Sequence, residues 1–374
     1  MTEDITVCES GMCTGCMACV DCCPKSAIRV VDRLESYDAI IDGSACIECG
    51  ACHRLCRQKN DSELARPIAW RQGWSRGEQR EKSSSGGVAS AIAKAFVRSG
   101  GLVCACAGSQ RDYHFVMYKD EQTLEEIAGS KYVKSDASGS YKEVRSALRG
   151  GSDVLFIGLP CQVASMRAFV GEGLGARLYT IDLICHGTPS PQILSRFLVG
   201  HGCSATQAQS VSFRSKGSYA FGLAVDGKRL RHRGSVDAYT AAFLRGYSYT
   251  RSCYSCKYAR LERTSDLTLG DSWGSDLPVD AQEKGISLCF CQNEKGLDLL
   301  EMADLQLFDV DLECAVRNNA QLSAPSLMPK RRARFFSELE RGRSVSYALF
   351  ACMPTYSMKQ YAKNLLLRWN VISI

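Results

Sequence analysis

The chain has 374 residues, of which 45% are hydrophobic and 23% are charged, and its formal net charge is +6. This length suggests two or three domains, and the composition is ordinary for a soluble globular protein with a real core. The net charge is too small to indicate a nucleic-acid-binding protein, and no apolar run is long enough to span a membrane.

Cysteine is the unusual residue, since the chain contains 21 of them. The chain opens with "MTEDITVCES", which lacks the basic and then apolar order of a signal peptide. A large, odd number of cysteines without an export signal is typical of metal chemistry rather than of a disulfide framework. The sequence therefore predicts a cytoplasmic metalloprotein.

Residues 1–62 carry one cysteine motif twice. The motif runs Cys13-x-x-Cys16-x-x-Cys19-x-x-x-Cys23-Pro24 and then Cys46-x-x-Cys49-x-x-Cys52-x-x-x-Cys56. At this spacing three thiolates of one loop bind three irons of a cubane, while the fourth cysteine reaches the other cluster. The predicted ligand sets are Cys13, Cys16, Cys19 and Cys56 for one [4Fe–4S] cluster, and Cys46, Cys49, Cys52 and Cys23 for the other.

The segment from residue 8 to residue 60 resembles a bacterial ferredoxin with two [4Fe–4S] clusters, which implies an α+β ferredoxin-like module. It departs from that pattern at Arg57, where a second proline is often found. A zinc site fits less well, because zinc sites use pairs of CxxC rather than two sets of four. Cys8 and Cys22 fall outside the pattern and are interpreted as bystanders.

Residues 63–82 are polar and charged without a sustained period, which predicts a linker or a segment wrapped over the surface. A helix is predicted from Val88, because apolar residues then recur at helical spacing. Ser84, Ser85, Gly86 and Gly87 precede it, and a helix N-terminus with glycines favours a bound anion. A serine N-cap followed by flexible glycines is the alternative interpretation.

A strand–helix–strand unit follows in "DVLFIGL", "VASMRAFV" and "LYTIDLICHG". Such a unit predicts a right-handed crossover and a parallel sheet. Cys161 and Cys185 should then lie just beyond the carboxyl ends of neighbouring strands, where open α/β sheets bind ligands. Each of the two alone is more typical of a buried apolar residue, and it is their equivalent positions that favour a site.

A separate pair, Cys253-x-x-Cys256, lies far along the chain. By itself it is compatible with a redox dithiol, half of a zinc site, or two ligands of an iron–sulfur cluster. A thioredoxin-like dithiol should open a helix, and no clear helical pattern follows Cys256.

Six stretches resemble, in order, the beta subunits of coenzyme F420-reducing hydrogenases and dehydrogenases. They are "SSGGVASAIAKAFVRSGG", "GSKYVKSD", "FIGLPCQVASMRAF", "IDLICHGTPSP", "SCYSCKYA" and "SDLTLGDSWG". The resemblance covers roughly residues 75 to 325. It implies an α/β flavin-binding part with a largely parallel sheet, made of an N-terminal-like domain at 83–158 and a C-terminal-like domain at 159–330.

The family resemblance also implies cofactors and their residues. A third [4Fe–4S] cluster would be bound by Cys161, Cys185, Cys253 and Cys256. FAD would lie near Ser84, Ser85, Gly86, Gly87, Lys131 and Tyr132. Lys131 would pair with a flavin phosphate or stabilise reduced flavin, although a solvated lysine is the simpler interpretation.

Together these expectations describe an iron–sulfur flavoprotein oxidoreductase that exchanges hydride with coenzyme F420 or another small organic substrate. Its redox partner would be ferredoxin or a similar protein. The alternative is an electron-relay subunit that serves a partner enzyme and has no substrate of its own. No residue is identified as a covalent catalyst. Residues 331–374 form a C-terminal extension, whose basic run "PKRRARFF" predicts a solvated face or a docking surface for an acidic redox protein.

Overall fold

The computed structural model describes residues 5–108, 113–203, 210–215 and 221–373. Its strands are β1 (Ile28–Asp32), β2 (Tyr37–Ile41), β3 (Ala69–Ser75), β4 (Leu102–Cys106), β5 (Phe115–Tyr118), β6 (Val154–Gly158), β7 (Leu178–Leu183), β8 (Val211–Arg214), β9 (Phe221–Val225), β10 (Lys228–Arg229), β11 (Leu267–Asp271), β12 (Ser287–Cys291) and β13 (Leu305–Phe308).

The α-helices are α1 (Ala18–Cys22), α2 (Ala51–Leu55), α3 (Gln79–Lys82), α4 (Val88–Arg98), α5 (Ser140–Arg149), α6 (Pro160–Val170), α7 (Glu172–Gly175), α8 (Pro191–Val199), α9 (Ala238–Leu244), α10 (Val279–Glu283), α11 (Glu294–Glu301), α12 (Leu312–Asn318), α13 (Arg332–Glu340), α14 (Val345–Cys352) and α15 (Pro354–Arg368). Single 3₁₀ turns occur at Thr123–Ile127, Arg251–Ser255 and Ala320–Leu322. In the described part of the chain, none of the helices has both the length and the apolar composition needed to cross a membrane.

The N-terminal part is a small unit built on the antiparallel pair of β1 and β2. The short helix α1 packs beside this pair and α2 packs on α1, each following one cysteine loop. Its small core consists of Val7, Ile28, Tyr37, Ala39 and Ile41 together with cysteines. Thiols therefore form much of the interior of this unit.

An eight-stranded sheet forms the body of the molecule, in the order β13-β3-β12-β11-β7-β6-β4-β5. The four central strands, β11, β7, β6 and β4, are parallel to one another. This confirms the parallel arrangement predicted from the strand–helix–strand unit. The strands outside these four pair antiparallel, so the sheet as a whole is mixed.

The segment at 63–82 contributes a strand to this sheet, in contrast to the predicted linker. Strand β3 lies between β12 and β13. The sequence pattern does not indicate this strand, because the polar residue Gln72 occupies a buried position in it. The amide of Gln72 donates to Asp276 Oδ1 at 2.8 Å and to the Asp309 carbonyl oxygen at 3.0 Å. The sheet also runs across the predicted domain boundary at residues 158 and 159, since β6 and β7 are neighbours.

Helices cover both faces of the sheet. Helices α4 and α11 supply apolar side chains to one core, which includes Ile92 and Leu299. Helices α5 and α6 supply the opposite core, which includes Tyr141 and Met166. The resulting three layers are the usual architecture of an α/β protein.

A further core joins the small sheet β10-β9-β8 to helices from the second half of the chain. Phe335 and Phe336 of α13 and Leu349 of α14 are buried in it. The C-terminal extension is therefore packed into the molecule along α13 and α14. Arg332, which belongs to the basic run, is only 4% exposed, so the predicted solvated face is wrong at this residue.

Candidate metal centres

Four cysteines of the first predicted set line one cavity. Cys13, Cys16 and Cys19 reach it from the first loop and α1, and Cys56 reaches it from the end of α2. The first three positions come from one motif and the fourth from the other, as the spacing predicts. This cavity is the candidate site for the first cluster, called site I below.

The two cysteine loops have matching backbones. Gly15 and Glu48 occupy equivalent positions and have φ of 65° and 53°. Met17 and Gly50, two residues later, both have φ of 69° and precede the first residue of α1 and α2. Residues with left-handed backbone conformation let each loop curve around its thiols. The repeat in the sequence is thus also a repeat in backbone conformation.

Backbone N–H groups in both loops point at the thiols. Gly15 N donates to Cys13 Sγ at 3.3 Å, and Glu48 N donates to Cys46 Sγ at 3.4 Å. Hydrogen bonds to sulfur stabilise the anionic form of a cluster and help to set its reduction potential. The loops therefore have the donor pattern that suits a bound iron–sulfur cluster.

The second predicted set, called site II, lies on the outer side of the N-terminal unit. Cys52 lies beside Cys49 and Cys23, and Cys46 packs against the same small core. Cys49 is exposed, and the neighbouring side chain of Ile47 is 56% exposed. Site II is thus the one that opens towards solvent.

Cys8 lines the cavity of site I although the spacing pattern does not include it. Its thiol hydrogen-bonds to Cys13 and Cys56, and together with the backbone N–H groups of Gln58 and Lys59 it lowers the pKa of Cys56 to about 6. Cys8 therefore lies at site I, and its interpretation as a residue outside the ligand set stays a prediction. No signal in the spacing identifies it, because it precedes the motif.

The third predicted set is assembled from three distant segments. Cys161 lies in the first turn of α6, directly after β6, and Cys185 follows the neighbouring strand β7. Cys253 lies in the 3₁₀ turn Arg251–Ser255, and Cys256 follows that turn. The predicted strand-end positions of Cys161 and Cys185 are confirmed.

Backbone pairing brings the late CxxC to the strand ends. Pro189 and Tyr249 form an isolated bridge, and Thr250 N donates to the Thr188 carbonyl oxygen at 3.0 Å. The segment after β7 thereby holds the segment before the 3₁₀ turn. This connection sets Cys253 beside Cys185.

The four thiols of the third set, called site III, are neighbours. The Cys185 thiol is buried with Cys253, Cys161 and Cys256 around it, and burial first, then these thiolates, raises its pKa. Burial likewise raises the pKa of Cys256 to about 12, with Cys161 and Cys253 adding to the shift. A bound metal would favour the thiolate forms of these cysteines.

Polar groups of site III face the sulfurs. The Thr250 hydroxyl lies 3.3 Å from Cys253 Sγ, and Lys134 Nζ donates to Cys161 Sγ at 3.8 Å. Burial alone would lower the pKa of Lys134, but Cys161, Cys253, Cys16 and Cys185 outweigh it and raise the pKa. Site III therefore combines four thiols with a fixed positive charge.

Sites I and III are adjacent. Ser165 of α6 lines the cavity of site I, and its hydroxyl donates to the Cys161 carbonyl oxygen at 2.8 Å. Ser252, next to Cys253, donates to the Cys13 carbonyl oxygen at 3.2 Å. Helices α1 and α2, with the cysteine that follows each, carry residues of both site I and site II, so site I neighbours both of the other sites.

A cubane binds each thiolate to a different iron, so its ligands surround a volume instead of meeting at one ion. In the part of the chain that the structure describes, no group of three or more His, Cys, Asp or Glu side chains has the arrangement of a single-ion site. The three four-cysteine groups are the residues that could hold clusters.

Two of the segments predicted to bind the flavin come together. Ser84 Oγ accepts a hydrogen bond of 2.8 Å from Ser130 N, next to Lys131. The Lys131 ammonium donates to the carbonyl oxygens of Glu126, Ile127 and Ala128. This lysine is thus held by its own turn.

The two glycines predicted to contact a bound anion, Gly86 and Gly87, are packed against other backbone segments of the protein. A Cβ at Gly86 would lie 2.4 Å from the Gly73 carbonyl oxygen, and a Cβ at Gly87 would lie 2.8 Å from backbone atoms of Gln79 and Arg80. Close packing of α4 on β3 and α3 explains both glycines. It supplies no space for a phosphate at these two Cα positions.

Tyr132 belongs to a group of aromatic rings that the sequence pattern did not identify. It stacks on Phe243 with ring centroids 4.4 Å apart, and Phe243 contacts Tyr249 edge-on at 5.4 Å. Tyr249 lies beside Cys185 and Cys253. The rings therefore run from site III to the segment predicted to contact the flavin.

Arg214 borders the same aromatic group. It pairs with Asp271 at 2.6 Å and lies over Trp273, with 5.3 Å between its guanidinium carbon and the ring centroid. Asp271 ends strand β11, so this pair lies at the carboxyl edge of the parallel strands. Arg214 has no motif around it that marks it in the sequence.

The fold and these groups define a class: an α/β protein with three groups of four cysteines that could hold clusters, one of them at the carboxyl edge of the parallel strands. Residues 151–310 match the family model for the C terminus of the beta subunit of coenzyme F420 hydrogenase/dehydrogenase. The predicted resemblance to this family of oxidoreductase subunits is therefore confirmed over residues 151–310.

Two curated proteins are similar over parts of their length. A subunit of the F(420)H(2) dehydrogenase of Methanosarcina mazei is 25% identical over 195 residues, which are 48% of this chain and 54% of that protein. A subunit of the ion-translocating oxidoreductase complex of Methanosarcina acetivorans is 49% identical over 53 residues, which are 14% of this chain and 18% of that protein. The chain thus covers less than two thirds of each of these relatives.

Among solved structures, a chain of the F420-reducing [NiFe] hydrogenase complex from Methanosarcina barkeri is similar. The alignment covers 76% of this chain and 98% of that chain, with 17% identity and a TM-score of 0.47.

Proposed function

We propose that this protein is an iron–sulfur flavoprotein oxidoreductase in which sites I, II and III hold three [4Fe–4S] clusters in series with FAD. The observation that carries the proposal is the convergence of Cys161, Cys185, Cys253 and Cys256 next to site I. Four thiols from three segments are the ligand set that a cubane requires. Bound clusters carry single electrons, and FAD exchanges electrons both singly and in pairs.

The arrangement of the three sites supports a path for electron transfer through the protein. Site II is the exposed one, site I contacts both neighbours, and site III lies at the carboxyl edge of the sheet. We infer that an external redox protein such as ferredoxin exchanges electrons at site II, near Cys49 and Ile47. The flavin end then lies beyond site III, along Tyr249, Phe243 and Tyr132.

The flavin is proposed to lie against Tyr132 with Lys131 and Ser84 close by. Arg214 adds a positive charge held by Asp271, which suits an anionic reduced ring or a phosphate group. Trp273, 40% exposed, offers a flat surface at the same edge. The role of Gly86 and Gly87 in this site is to let α4 approach β3 closely.

The substrate is proposed to be coenzyme F420 or another small organic hydride carrier. The matched family and the dehydrogenase relative from Methanosarcina mazei both carry that coenzyme in their names. Binding of reduced F420 and bleaching of the bound flavin by it, under anaerobic conditions, would test this part.

An electron-relay subunit without its own substrate is the second candidate. Both curated relatives are named as subunits of larger enzymes, which favours it. Purified protein that holds flavin and clusters but neither binds nor oxidises a small hydride donor would support the relay.

The decisive experiment is anaerobic purification with iron, sulfide and flavin measured on one sample. Three cubanes predict about 12 irons per chain, against about 8 for sites I and II alone. The Cys256→Ala variant should lose about 4 irons, because a cubane at site III then lacks one of its four ligands.

The matched control is Cys314→Ala, since Cys314 is a partly exposed thiol that donates to the Gly274 carbonyl oxygen, away from the three sites. It should retain the iron content of the wild type. Equal iron in Cys256→Ala and the wild type would contradict the assignment of site III, and purified protein without flavin would contradict the flavoprotein.

A further inference from the structure

Lys134 is a buried lysine at the boundary between sites I and III. Its side chain is among the least exposed of the charged residues, at 3%. The ammonium donates to Cys161 Sγ at 3.8 Å. On the other side its Cε lies 3.3 Å from the position that a Cβ on Gly15 would occupy, in the loop of site I.

The backbone fixes the lysine in this place. Lys134 N donates to the Pro189 carbonyl oxygen at 3.0 Å, which ties its segment to the loop that follows β7. The same loop bridges to Tyr249 and so to the segment of Cys253. Lys134 is therefore positioned by the connections that assemble site III.

The charges around the ammonium come from both sites. Cys161, Cys253 and Cys185 of site III and Cys16 of site I act on it, and it acts in turn on Cys13. Among the described residues, no carboxylate lies within ion-pair distance of Lys134. Burial of a cation without an anionic partner is unfavourable in free energy. The groups that compensate Lys134 are therefore the cysteine thiolates and the clusters proposed to be bound by them.

We propose that Lys134 is a positioning residue that raises the reduction potentials of the clusters at sites I and III together. This inference rests on the proposed function and deepens it. Reduction of a cluster adds one electron and no bond forms or breaks, so the reduced cluster carries one more negative charge. A fixed cation at the boundary favours the reduced state on either side.

The consequence for transfer is that Lys134 adds little to the difference between the two potentials. An electron that leaves one site for the other remains near the same cation, so the step loses little of this stabilisation. The contacts of Lys134 are with sites I and III, so we expect site II to be outside this effect. Lys134 thus affects the reduction potentials at sites I and III and not the potential at site II.

The test compares Lys134→Met, Lys134→Arg and the wild type by redox titration monitored by electron paramagnetic resonance. Methionine keeps the length and removes the charge. The equilibrium constant for reduction at site III should fall at least tenfold in Lys134→Met, which corresponds to about 59 mV for one electron. Site I should shift in the same direction, site II should be unchanged, and arginine should restore most of the loss.

Lys295→Met is the matched control. Lys295 is held by the backbone carbonyl oxygens of Gly175, Ala176 and Leu178, and it lies at the opposite end of β7 from the three sites. Its removal should change none of the potentials.

Unchanged potentials in Lys134→Met, or equal shifts at all three sites, would overturn the inference. If Lys134→Met lacks the cluster of site III, site I alone decides, because its ligands come from other segments, and an unchanged potential there overturns the inference as well. A wild type with fewer than three clusters would instead contradict the proposed function, so the two failures are distinguishable by iron content.

Discussion

Arg263 and Asp182 form a fully buried ion pair beneath site III. They are 1% and 0% exposed, and Arg263 Nη1 lies 3.6 Å from Asp182 Oδ2. Burial raises the pKa of Asp182, and Arg263 opposes the rise. A buried pair of this kind is poor evidence of stabilisation, but removal of one partner leaves a buried charge without compensation.

Arg263→Met should therefore lower the free energy of unfolding by about 3 kcal/mol at neutral pH. The loss should shrink towards acid pH. With its pKa raised in the folded state, Asp182 binds more protons there than in the unfolded chain, so stability falls as pH rises above its ordinary value of 3.8. Denaturation at about pH 5 and about pH 8 measures this slope.

Two further variants give the comparison. Asp182→Asn with Arg263→Met should recover part of the loss, since neither charge is then buried alone. Asp153→Asn breaks the exposed pair with Arg177, whose side chains are 49% and 52% exposed, and should cost less than about 1 kcal/mol. A loss in Arg263→Met that does not depend on pH would contradict the explanation.

At the scale of elements, strand β3 depends on a glycine. Gly73 lies opposite Leu307 of β13, and a Cβ there would lie 2.1 Å from the Gln306 carbonyl oxygen. Gly73→Ala should separate β13 from β3 and destabilise the protein by about 2 kcal/mol or more. Amide hydrogen exchange should show faster exchange in β13 while β6 and β7 remain protected.

Gly173 is the matched control, because a Cβ there meets nothing within 4 Å and its φ is not positive. Gly173→Ala in α7 should be neutral or slightly stabilising, since alanine favours a helix and restricts the unfolded chain. Equal stability of the two variants would show that the contact of β3 with β13 is unimportant.

The same strand shows what the sequence could and could not predict. Strand β6 follows from the apolar run "VLFIG", because a strand buried on both faces is usually apolar throughout. Strand β3 carries Gln72 in the interior, paired with Asp276, so its pattern resembles a loop. Partners 204 residues apart, as these two are, cannot be identified from local composition.

The candidate sites divide in a similar way. Sites I and II follow from spacing, because their ligands lie within short loops that repeat. Site III needed a family resemblance to group its four cysteines, since the bridge of Pro189 with Tyr249 is a tertiary contact. Lys134 and Arg214 were not identified at all, because a single basic residue has no pattern around it.

At the scale of the whole molecule, the C-terminal extension holds the N-terminal unit in place. Arg332 of α13 donates to the carbonyl oxygens of Glu35 and Tyr249, at 2.8 and 2.9 Å, and pairs with the Glu35 carboxylate at 2.8 Å. Its Nε donates to the hydroxyl of Tyr254 at 3.1 Å. One guanidinium thus links the turn between β1 and β2 to the segment that carries Cys253 and Cys256.

Arg332→Met should loosen the contact between sites I and III without changing any proposed ligand. The carbonyl oxygens of Glu35 and Tyr249 lose a charged donor, and hydrogen bonds to charged groups contribute about 1.5–3 kcal/mol each. Because Glu35 is 41% exposed, we expect a net loss of about 2 kcal/mol. Thermal unfolding measures the stability, and the rate at which site III is reduced from site II measures the contact.

Arg334→Met is the control for charge and helix, since Arg334 lies in the same turn of α13 and is exposed. Arg334→Met should leave both measurements unchanged. If the whole basic run formed a docking surface, both variants would instead weaken electron exchange with an acidic redox protein. Site III should not be reduced more slowly in Arg334→Met. Slower reduction in Arg332→Met alone, with about 12 irons retained, would mean that the extension maintains the contact between sites I and III. The distance between the clusters would then depend on a residue almost 80 positions from the nearest proposed ligand, at Cys256.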